Sequence, residues 1–439
     1  MNASVTVSSA AGTVNEYVEG LACIHCGREF ANDQLFEGCP SCHSEDFAAN
    51  LRVRYDRRRQ ARAVTRRTLA RTRSVGLRRY LPLLPVDRAY PFETLGVGDT
   101  PLVPSRGLAR LLGLGKLYFK DESLNPTGSV KDRRASLGVN VAAHFGARGL
   151  VTAGGNMGAA AAAAGARCGL PVVNAETTFE SPTALLQSRA FGALSVILES
   201  YETRCALMKQ CVDVLGFHPL SSYTAYPTGD PYSQEGDKTI AYEVCEDLGW
   251  KAPNKVLVPA GQGLILSGIW GGFVDLYELG LIDSLPIMIG VESFAGRAFS
   301  GTRIGGPLLA EIPPAGATIA RHACASRAAL KGLKAIADSK GYSVAVAEDD
   351  ILNGAISLAR EDGVLPSTTS STTIAALRSL VASRLVENTD AVVCVITASG
   401  LKDVDLLERG VEPMPSIPPD LASLRRLAEA RGIRLPSPV

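Results

Sequence analysis

KDESLNPTGSVKDR, residues 120–133, is the stretch that decides the fold of this chain. A strand pattern, KLYFKDE at 116–122, runs into it, and Asn-Pro-Thr-Gly at 125–128 is typical of a turn. Lys131 therefore falls at the opening of a helix, where the positive end of the helix dipole favours the neutral amine that a nucleophilic lysine needs. The stretch predicts a reactive lysine between a strand and a helix.

On both sides of this stretch, short apolar runs alternate with helical patterns, which is typical of parallel βαβ units. Further strands are predicted at 148–153, 171–176, 254–260, 286–293 and 391–397. Helices are predicted over 158–167, 182–191 and 265–279. Near-continuous apolar strands that are each followed by a helix indicate sheets covered on both faces, so the predicted fold class is α/β.

Composition narrows the functional classes. The chain has 439 residues, 46% of them hydrophobic, which is enough for two or three domains with buried cores. Its 45 basic and 44 acidic side chains give a formal charge of +1, so nothing draws the whole chain to nucleic acid or to a membrane. There is no run of eighteen apolar residues and no signal-like start, and most cysteines lie in apolar stretches. We therefore expect no membrane partner and a cytoplasmic location.

Two CxxC pairs stand near the N-terminus, separated by twelve residues: Cys23, Cys26, Cys39 and Cys42. Each pair can form a tight knuckle, and two knuckles supply four thiolates to one tetrahedral zinc ion. A closed site of this kind has a structural and not a catalytic role. The alternative is two incidental pairs, or a former site that keeps its cysteines without the metal.

A basic block follows between residues 52 and 80. It contains twelve arginines: Arg52, Arg54, Arg57, Arg58, Arg59, Arg62, Arg66, Arg67, Arg71, Arg73, Arg78 and Arg79. Next to a zinc ribbon, such a block raises a nucleic-acid hypothesis. The alternative is a solvated helix that pairs with acidic groups elsewhere in the chain. The block has no series of interleaved aromatic residues for base stacking, which favours the alternative, so no nucleic-acid partner is expected.

The lysine stretch resembles the lysine motif of fold-type II pyridoxal-phosphate enzymes, the tryptophan synthase beta-like superfamily, and within it is most similar to threonine synthases. Four further segments resemble that family in order, namely RYLPLLP at 79–85, LGVGDTPL at 95–102, PYSQEGDKT at 231–239 and TASGLKD at 397–403. The resemblance implies two doubly wound α/β lobes around the cofactor, preceded by a small zinc ribbon. It implies an N-terminal segment with the ribbon at 1–46, an arginine-rich linker at 47–92 and a catalytic region at 93–439. A smaller lobe at about 132–230 is inserted into the larger one.

The resemblance also implies roles for matching residues. Lys131 would hold pyridoxal 5′-phosphate as a Schiff base and then move protons on the substrate. Asn156 would bind the cofactor's ring hydroxyl, and Thr397 would face its pyridine nitrogen, which favours elimination and replacement over transamination. The phosphate would lie on Gly261, Gln262, Gly263, Leu264 and Ile265. The substrate carboxylate would lie on backbone N–H groups around Asn156, at Gly154, Gly155, Met157 and Gly158.

The departures from threonine synthase cluster where the substrate is expected. The loop around Asn156 lacks the family's hydroxyl side chains, and Ser233 stands where the family has an arginine that binds substrate phosphate. A serine cannot replace an arginine that binds a phosphate through two charge-assisted hydrogen bonds. We therefore expect an altered substrate specificity, with Ser233 facing the substrate. The alternative is that Lys238 or Arg133 binds the phosphate instead.

These patterns predict a lyase or synthase that resembles threonine synthase and performs β- or γ-elimination or replacement on a small amino acid. One alternative is an authentic threonine synthase, which converts O-phosphohomoserine to threonine. A second is a non-catalytic or nucleic-acid-linked regulator built on the ribbon and the arginine block. Because relatives are commonly dimers, a homodimer is expected.

Overall fold

The computed structural model describes residues 15–45, 47–72, 74–86, 94–177, 181–299 and 311–436. Arg73 and the first fourteen residues of the predicted N-terminal segment lie outside the described residues. In the described part, the strands are β1 Val18–Cys23, β2 Glu29–Phe30, β3 Leu51–Tyr55, β4 Leu102–Pro104, β5 Lys116–Asp121, β6 Gly149–Ala153, β7 Val172–Glu176, β8 Leu194–Ile197, β9 Phe217–Pro219, β10 Lys255–Pro259, β11 Ile287–Ser293, β12 Tyr342–Val346 and β13 Ala391–Ile396.

The α-helices of the same part are α1 Arg57–Ala63, α2 Arg66–Arg71, α3 Gly107–Leu112, α4 Lys131–His144, α5 Gly155–Cys168, α6 Pro182–Ala190, α7 Tyr201–Asp213, α8 Thr239–Asp247, α9 Leu264–Glu278, α10 Leu330–Asp338, α11 Glu348–Asp362, α12 Thr368–Ala382, α13 Val404–Leu407 and α14 Leu421–Ala430. Short 3₁₀ helices lie at Gly76–Leu83, Glu122–Leu124, Ser233–Lys238, Arg321–Ala323, Gly400–Lys402 and Glu408–Gly410. All the strands and helices predicted from hydrophobic patterns are present.

The larger sheet has six strands in the order β12-β11-β10-β13-β5-β4. All neighbours in it are parallel except β4, which runs antiparallel to β5 at the edge. Its central strand β13, AVVCVI, is apolar at every position and fully buried from Val392 to Ile396, as expected of a parallel strand covered on both faces. The chain order reverses between β10 and β13, and in open α/β sheets such a switch point is where ligands bind.

The smaller sheet has four parallel strands in the order β8-β7-β6-β9. Helix α5 leads away from β6 and contacts β6, β7, α4 and α6. Its run of alanines from 159 to 164 is buried, because small side chains let the helix lie close to its neighbours. Gly169, with φ of +70°, ends the helix in the left-handed conformation. The two sheets and their helices confirm the α/β fold class.

A three-stranded antiparallel sheet, β2-β1-β3, carries the N-terminal cysteines. The arginine block lies in β3, α1, α2 and the 3₁₀ helix at Gly76–Leu83. Several of its side chains pair with the rest of the chain: Arg57 with Asp275 and with Glu278, and Arg79 with Glu246. These arginines thus bind acidic groups elsewhere in the chain. Among the described helices, none is long and apolar enough to cross a membrane.

Candidate active site

A cavity of about 650 Å³ opens where β6, β10 and β13 end. The residues that follow these strands line it, together with the start of α4. β10 and β13 are parallel neighbours whose carboxyl ends meet at one edge of the larger sheet, and the end of β6 in the smaller sheet lines the same cavity, so residues distant in sequence converge there. Of the residues proposed from the sequence, those lining the cavity are Lys131, Gly154, Asn156, Met157, Gly261, Gln262, Leu264, Ile265 and Thr397.

Lys131 is the first residue of α4, and it lines the cavity. The turn before it lies against the end of β13, where the Val130 amide donates to the Thr397 carbonyl over 2.8 Å. Ser129 and Ala398 pair in an isolated antiparallel bridge at the same point. The start of α4 is therefore fixed to the strand that carries Thr397, although some 260 residues separate them in sequence.

Asp132 orders the turn that presents Lys131. Its Oδ2 accepts hydrogen bonds from the amide and the hydroxyl of Thr127, at 3.0 and 2.9 Å. Gly128 has φ of +81°, a conformation that glycine adopts without strain. Burial raises the pKa of the Asp132 carboxyl to about 6, even though the hydrogen bonds from Thr127 oppose the shift.

The loop after β6 leads directly into α5. Gly155, with φ of +65°, is the first helical residue, and Gly154, Asn156 and Met157 line the cavity. Gly155 and Gly158 do not line it. The side-chain carbonyl oxygen of Asn156 is buried and has no hydrogen-bond partner among the described residues. A buried amide in this state is suited to binding a group placed in the cavity.

Glu176, at the end of β7, supports this loop from below. It is 1% exposed, and its Oε2 accepts a hydrogen bond from the Gly155 amide at 3.2 Å. A Cβ on Gly154 would lie 1.2 Å from the same oxygen, so only glycine leaves room for the carboxylate. The sequence motif shows the two glycines but gives no sign of the glutamate that requires one of them.

The loop at 261–265 joins β10 to α9. Gly261 and Gly263 have φ of +48° and +83°. A Cβ would lie 2.4 Å from the His322 carbonyl oxygen at the first position and 2.3 Å from the Phe299 ring at the second. Glycine is therefore required at both positions. Gly263 itself does not line the cavity, whereas its four neighbours in the loop do. Backbone N–H groups at the start of a fifteen-residue helix suit a phosphate, so the loop fits that part of the cofactor.

Thr397 follows β13, is 6% exposed and lines the cavity. Its hydroxyl lies 3.1 Å from that of Ser370, which lies 2.8 Å from that of Ser367. Among the described residues that line the cavity, Glu311 is the one carboxylate. The group beside Thr397 is thus a chain of neutral hydroxyls, which suits a pyridine nitrogen that stays unprotonated.

Ser233 is fully buried and is not among the residues that line the cavity. Its amide donates to the Asp230 carboxylate over 3.0 Å, and its hydroxyl lies 3.5 Å from the Asp230 carbonyl oxygen. The neighbouring Gln234 lines the cavity instead.

Arg133 and Lys238 also lie outside the cavity. Arg133 is fully buried and forms ion pairs with Glu122 at 2.6 Å and with Glu243 at 2.7 Å. Lys238 lies 3.1 Å from Asp275. Both cations are already committed to buried carboxylates. The alternative in which either of them binds a substrate phosphate is therefore wrong for this arrangement.

Three other arginines line the cavity: Arg134, Arg204 and Arg321. Arg134 is paired with Asp237, and its Nε is buried without a partner. The guanidinium of Arg204 lies 4.5 Å from the centre of the Tyr201 ring. Among the described residues, neither Arg204 nor Arg321 has a carboxylate within ion-pair distance. Arg204 and Arg321 thus bring positive charge to the cavity without an ion-pair partner among the described residues.

Sequence reasoning did not single out these arginines. Arg134 could have been found, because it stands three residues after Lys131 and so within one turn of the same helix start. Arg204 lies in α7, whose sequence has no motif that points to a site.

The four N-terminal cysteines converge as predicted. Cys23 and Cys42 sulfurs lie 3.7 Å apart, those of Cys26 and Cys39 lie 3.9 Å apart, and all four lie within 4.8 Å of one another. A tetrahedral zinc ion about 2.3 Å from each thiolate would place the sulfurs about 3.8 Å apart. The spacing and the donor set both fit a structural zinc ion.

Comparisons with known proteins agree with this geometry. Residues 93–398 match the family model described as pyridoxal-phosphate dependent enzyme. Threonine synthase of Methanocaldococcus jannaschii is 31% identical over 92% of this chain and 98% of its own length. Threonine synthase of Methanosarcina acetivorans is 32% identical over 87% of this chain and 92% of its own length.

Solved structures show the same fold at low sequence identity. Diaminopropionate ammonia lyase from Escherichia coli superposes with a TM-score of 0.61 at 20% identity, covering 74% of this chain and 90% of its own. A fungal L-serine ammonia-lyase from Rhizomucor miehei gives 0.60 at 19% identity, covering 71% of this chain and 96% of its own.

Proposed function

The chain belongs to the pyridoxal-phosphate dependent enzymes and is a threonine synthase-like lyase or synthase; from this premise we propose that Lys131 holds the cofactor in the cavity at the switch point. The observation that carries the proposal is the convergence of Lys131, Asn156, the 261–265 loop and Thr397 on one cavity. A lysine at a helix start, a buried amide, a helix N-terminus and a neutral hydroxyl are the four kinds of group that this cofactor needs.

Each residue then has a role set by its position. Once bound, the cofactor supplies an electron sink for the carbon atoms of an amino acid. Lys131 lines the cavity, where its amine can take and return a proton on the substrate. The 261–265 loop binds phosphate through its backbone N–H groups. Thr397, whose hydroxyl lies 3.1 Å from that of Ser370, would face the ring nitrogen with a neutral group, which would favour elimination or replacement at the β- or γ-carbon.

The carboxylate of the amino acid is assigned to the backbone N–H groups of Asn156 and Met157 in the first turn of α5, because both residues line the cavity and the Gly155 amide is already bound by Glu176. Gly154 leaves room for Glu176, whose bond to the Gly155 amide fixes the loop. We expect the rest of the amino acid to extend toward Arg204 and Arg321, because these cations line the cavity and form no ion pair with a carboxylate of the described residues. A substrate with an acidic side chain or an acidic leaving group satisfies them best.

Substrate panels test this assignment. The purified holoenzyme is incubated with L-serine, L-threonine, L-aspartate and O-phospho-L-serine while 2-oxo acid, ammonia and phosphate are measured. The acidic substrates should turn over faster, and Arg204→Gln should slow them selectively, mainly through KM. Equal rates for neutral and acidic amino acids, with no effect of Arg204→Gln, would overturn the proposed specificity.

Authentic threonine synthase activity is the second candidate. It is favoured by relatives of that name that are 31–33% identical to this chain. Against it stands Ser233, which supplies no cation and lies outside the cavity. Release of phosphate from O-phospho-L-homoserine with formation of threonine would establish this activity. Its absence, with turnover of another amino acid, would establish the first candidate.

We further propose that Cys23, Cys26, Cys39 and Cys42 bind one structural Zn²⁺ ion and that the enzyme is a homodimer. Elemental analysis should find one zinc per chain, and none in Cys39→Ser. Light scattering should give twice the chain mass.

A further inference from the structure

Two segments contact each other beside the cavity. The first, the ribbon loop, comprises residues 31–50 and carries Cys39 and Cys42. The second, the wall segment, comprises residues 221–234. Ser221, Ser222, Gly229 and Gln234 of the wall segment line the cavity.

Side-chain hydrogen bonds join the two segments at several points. They are Tyr232 Oη to the Asp33 carbonyl at 3.1 Å, Thr228 Oγ1 to the Phe36 carbonyl at 3.1 Å, Tyr226 Oη to the Glu45 carbonyl at 3.0 Å, and Asn50 Nδ2 to the Pro227 carbonyl at 3.0 Å. Three of the four donors belong to the wall segment, and three of the acceptors are main-chain carbonyls of the ribbon loop. The wall segment therefore depends on the exact path of the ribbon backbone.

The contact is tight beside a metal ligand. Gly38, next to Cys39, has φ of +95°, and a Cβ there would lie 2.8 Å from Thr228 Cγ2 and 2.6 Å from the Ala49 carbonyl oxygen. Cys39 in turn donates its amide to the Ala49 carbonyl over 2.9 Å. Thr228 is 3% exposed, so no water layer separates the two segments at this point. A shift of Cys39 is thus transmitted directly to Thr228.

The described residues of the ribbon loop, 31–45 and 47–50, form no helix or strand. A loop without backbone ladders is held by its contacts and by whatever crosslinks it. A tetrahedral metal ion bound by the four cysteines would join Cys39 and Cys42 to Cys23 and Cys26 on the β1 side, and such crosslinks commonly determine the local fold.

We propose that the metal on the four cysteines positions the wall segment, and that metal loading thereby sets the affinity for the amino acid while leaving cofactor attachment unchanged. Lys131 and Thr397 lie apart from this contact, because the Val130 amide fixes the start of α4 to the Thr397 carbonyl at the end of β13. The 261–265 loop is linked to the ribbon loop only indirectly, since the Gln262 carbonyl accepts from the Ala329 amide at 2.8 Å and Asn50 Oδ1 accepts from the Lys331 amide at 3.2 Å. The inference rests on the proposed function only in taking the cavity as the amino-acid site.

Hydrogen exchange on the full-length holoenzyme is the deciding experiment. It compares the metal-loaded protein with the same protein after chelation, while cofactor absorbance is recorded. Amides in 221–234 should exchange about tenfold faster without the metal, whereas those in β10 and β13 and the cofactor band stay unchanged. Unchanged exchange in 221–234, or loss of the cofactor band on chelation, would overturn the proposal.

A variant that retains the metal controls for the possibility that chelation unfolds the protein generally. Tyr226→Phe with Tyr232→Phe removes two hydroxyls that donate to the ribbon loop and keeps both rings. It should bind the metal and the cofactor normally and still show faster exchange in 221–234. Tyr277→Phe is the matched control, because Tyr277 is 48% exposed on α9. Exchange in the double variant equal to that of the control would count against the inference.

Titration with L-serine and O-phospho-L-homoserine, followed by cofactor absorbance, adds the functional readout. Whichever amino acid perturbs the spectrum should bind about five- to tenfold more weakly to the double variant, since each lost neutral hydrogen bond weakens binding modestly. If neither perturbs the spectrum, the titration is repeated with L-threonine, L-aspartate and O-phospho-L-serine, and no perturbation by any of the five contradicts the proposed function. The present inference is decided separately by the exchange data.

Discussion

Replacing Arg133 by methionine tests whether this arginine holds the start of α4 in place or binds the phosphate of the substrate. Arg133 is fully buried, two residues after Lys131. Its guanidinium donates to Glu122 at 2.6 and 2.8 Å and to Glu243 at 2.7 Å through each of two nitrogens. Further bonds reach the hydroxyls of Thr239 at 2.8 Å and Thr100 at 3.0 Å. Six hydrogen bonds thus tie the first turn of α4 to Thr100, to the 3₁₀ helix that follows β5 and to α8.

Arg133→Met removes all of these donors and leaves two buried carboxylates, with Lys120 still 2.7 Å from Glu243. Removing one partner of a buried ion pair costs about 3–5 kcal/mol of the free energy of unfolding. The urea midpoint at pH 7 should therefore fall clearly, and cofactor retention should weaken because the start of α4 is no longer fixed.

The pH dependence has a definite sign. Burial alone would raise the pKa of the Glu243 carboxyl. The positive charges of Arg133 and Lys120 outweigh this effect and lower that pKa to about 2. A carboxyl whose pKa is depressed in the folded state stabilises the fold above its unfolded value and loses this contribution as the pH falls. The gap between wild type and Arg133→Met should be full at pH 7 and should narrow between pH 4.5 and pH 2.

Arg110→Met is the matched control, since Arg110 is exposed on α3, and its midpoint should stay close to that of the wild type. A stable Arg133→Met protein that loses only its affinity for O-phospho-L-homoserine would refute the anchoring role and restore the phosphate-binding alternative.

Two further predictions follow from the loops around the cavity. Gly154→Ala should lower the free energy of unfolding by about 2 kcal/mol and weaken amino-acid binding, because its Cβ displaces the Glu176 carboxylate from the Gly155 amide. Gly316→Ala, with no atom within 4 Å of the new Cβ, should be neutral, and equal urea midpoints for the two variants would contradict the steric argument. Burial raises the pKa of Asp132 from 3.8 to about 6, so the wild type loses stability as the pH rises through that window. Asp132→Asn lacks this loss, so its urea midpoint relative to wild type should rise from pH 4 to pH 7, and a constant difference would refute the assignment.

The fold was largely predictable because its inner strands are near-continuous runs of apolar residues. β10 and β13 show this pattern, and each is followed by a turn and the features of a site. The reactive lysine was found for the same reason, since strand, turn and helix start are local signals. Hydrophobic periodicity and turn residues act within a few positions of the chain, so sequence alone can report them.

The sequence could not predict which charged side chains form buried ion pairs with each other. Arg133 and Arg134 are neighbours in sequence, yet one is bound by Glu243, 110 residues away, and the other lines the cavity. Arg57 of the basic block is bound by Asp275, 218 residues away. Such partners are set by the packing of whole elements, and no local pattern encodes them.

Ser233 shows the same limit at the substrate side. Alignment of motifs gives its position in the chain, but the Asp230 carboxylate accepts its amide hydrogen and also that of Tyr232, at 3.0 and 2.9 Å. This local turn directs Gln234, and not Ser233, to the cavity.

The most direct test of the central claim is to locate the cofactor on the chain. The holoenzyme is reduced with borohydride, which fixes pyridoxal phosphate covalently to the lysine that holds it, and the labelled peptide is sequenced by mass spectrometry. The label should lie on Lys131 alone, and Lys131→Ala should carry none, whereas the exposed-lysine control Lys334→Ala should be labelled as the wild type is. A label on any other lysine, or a labelled Lys131→Ala, would contradict the account.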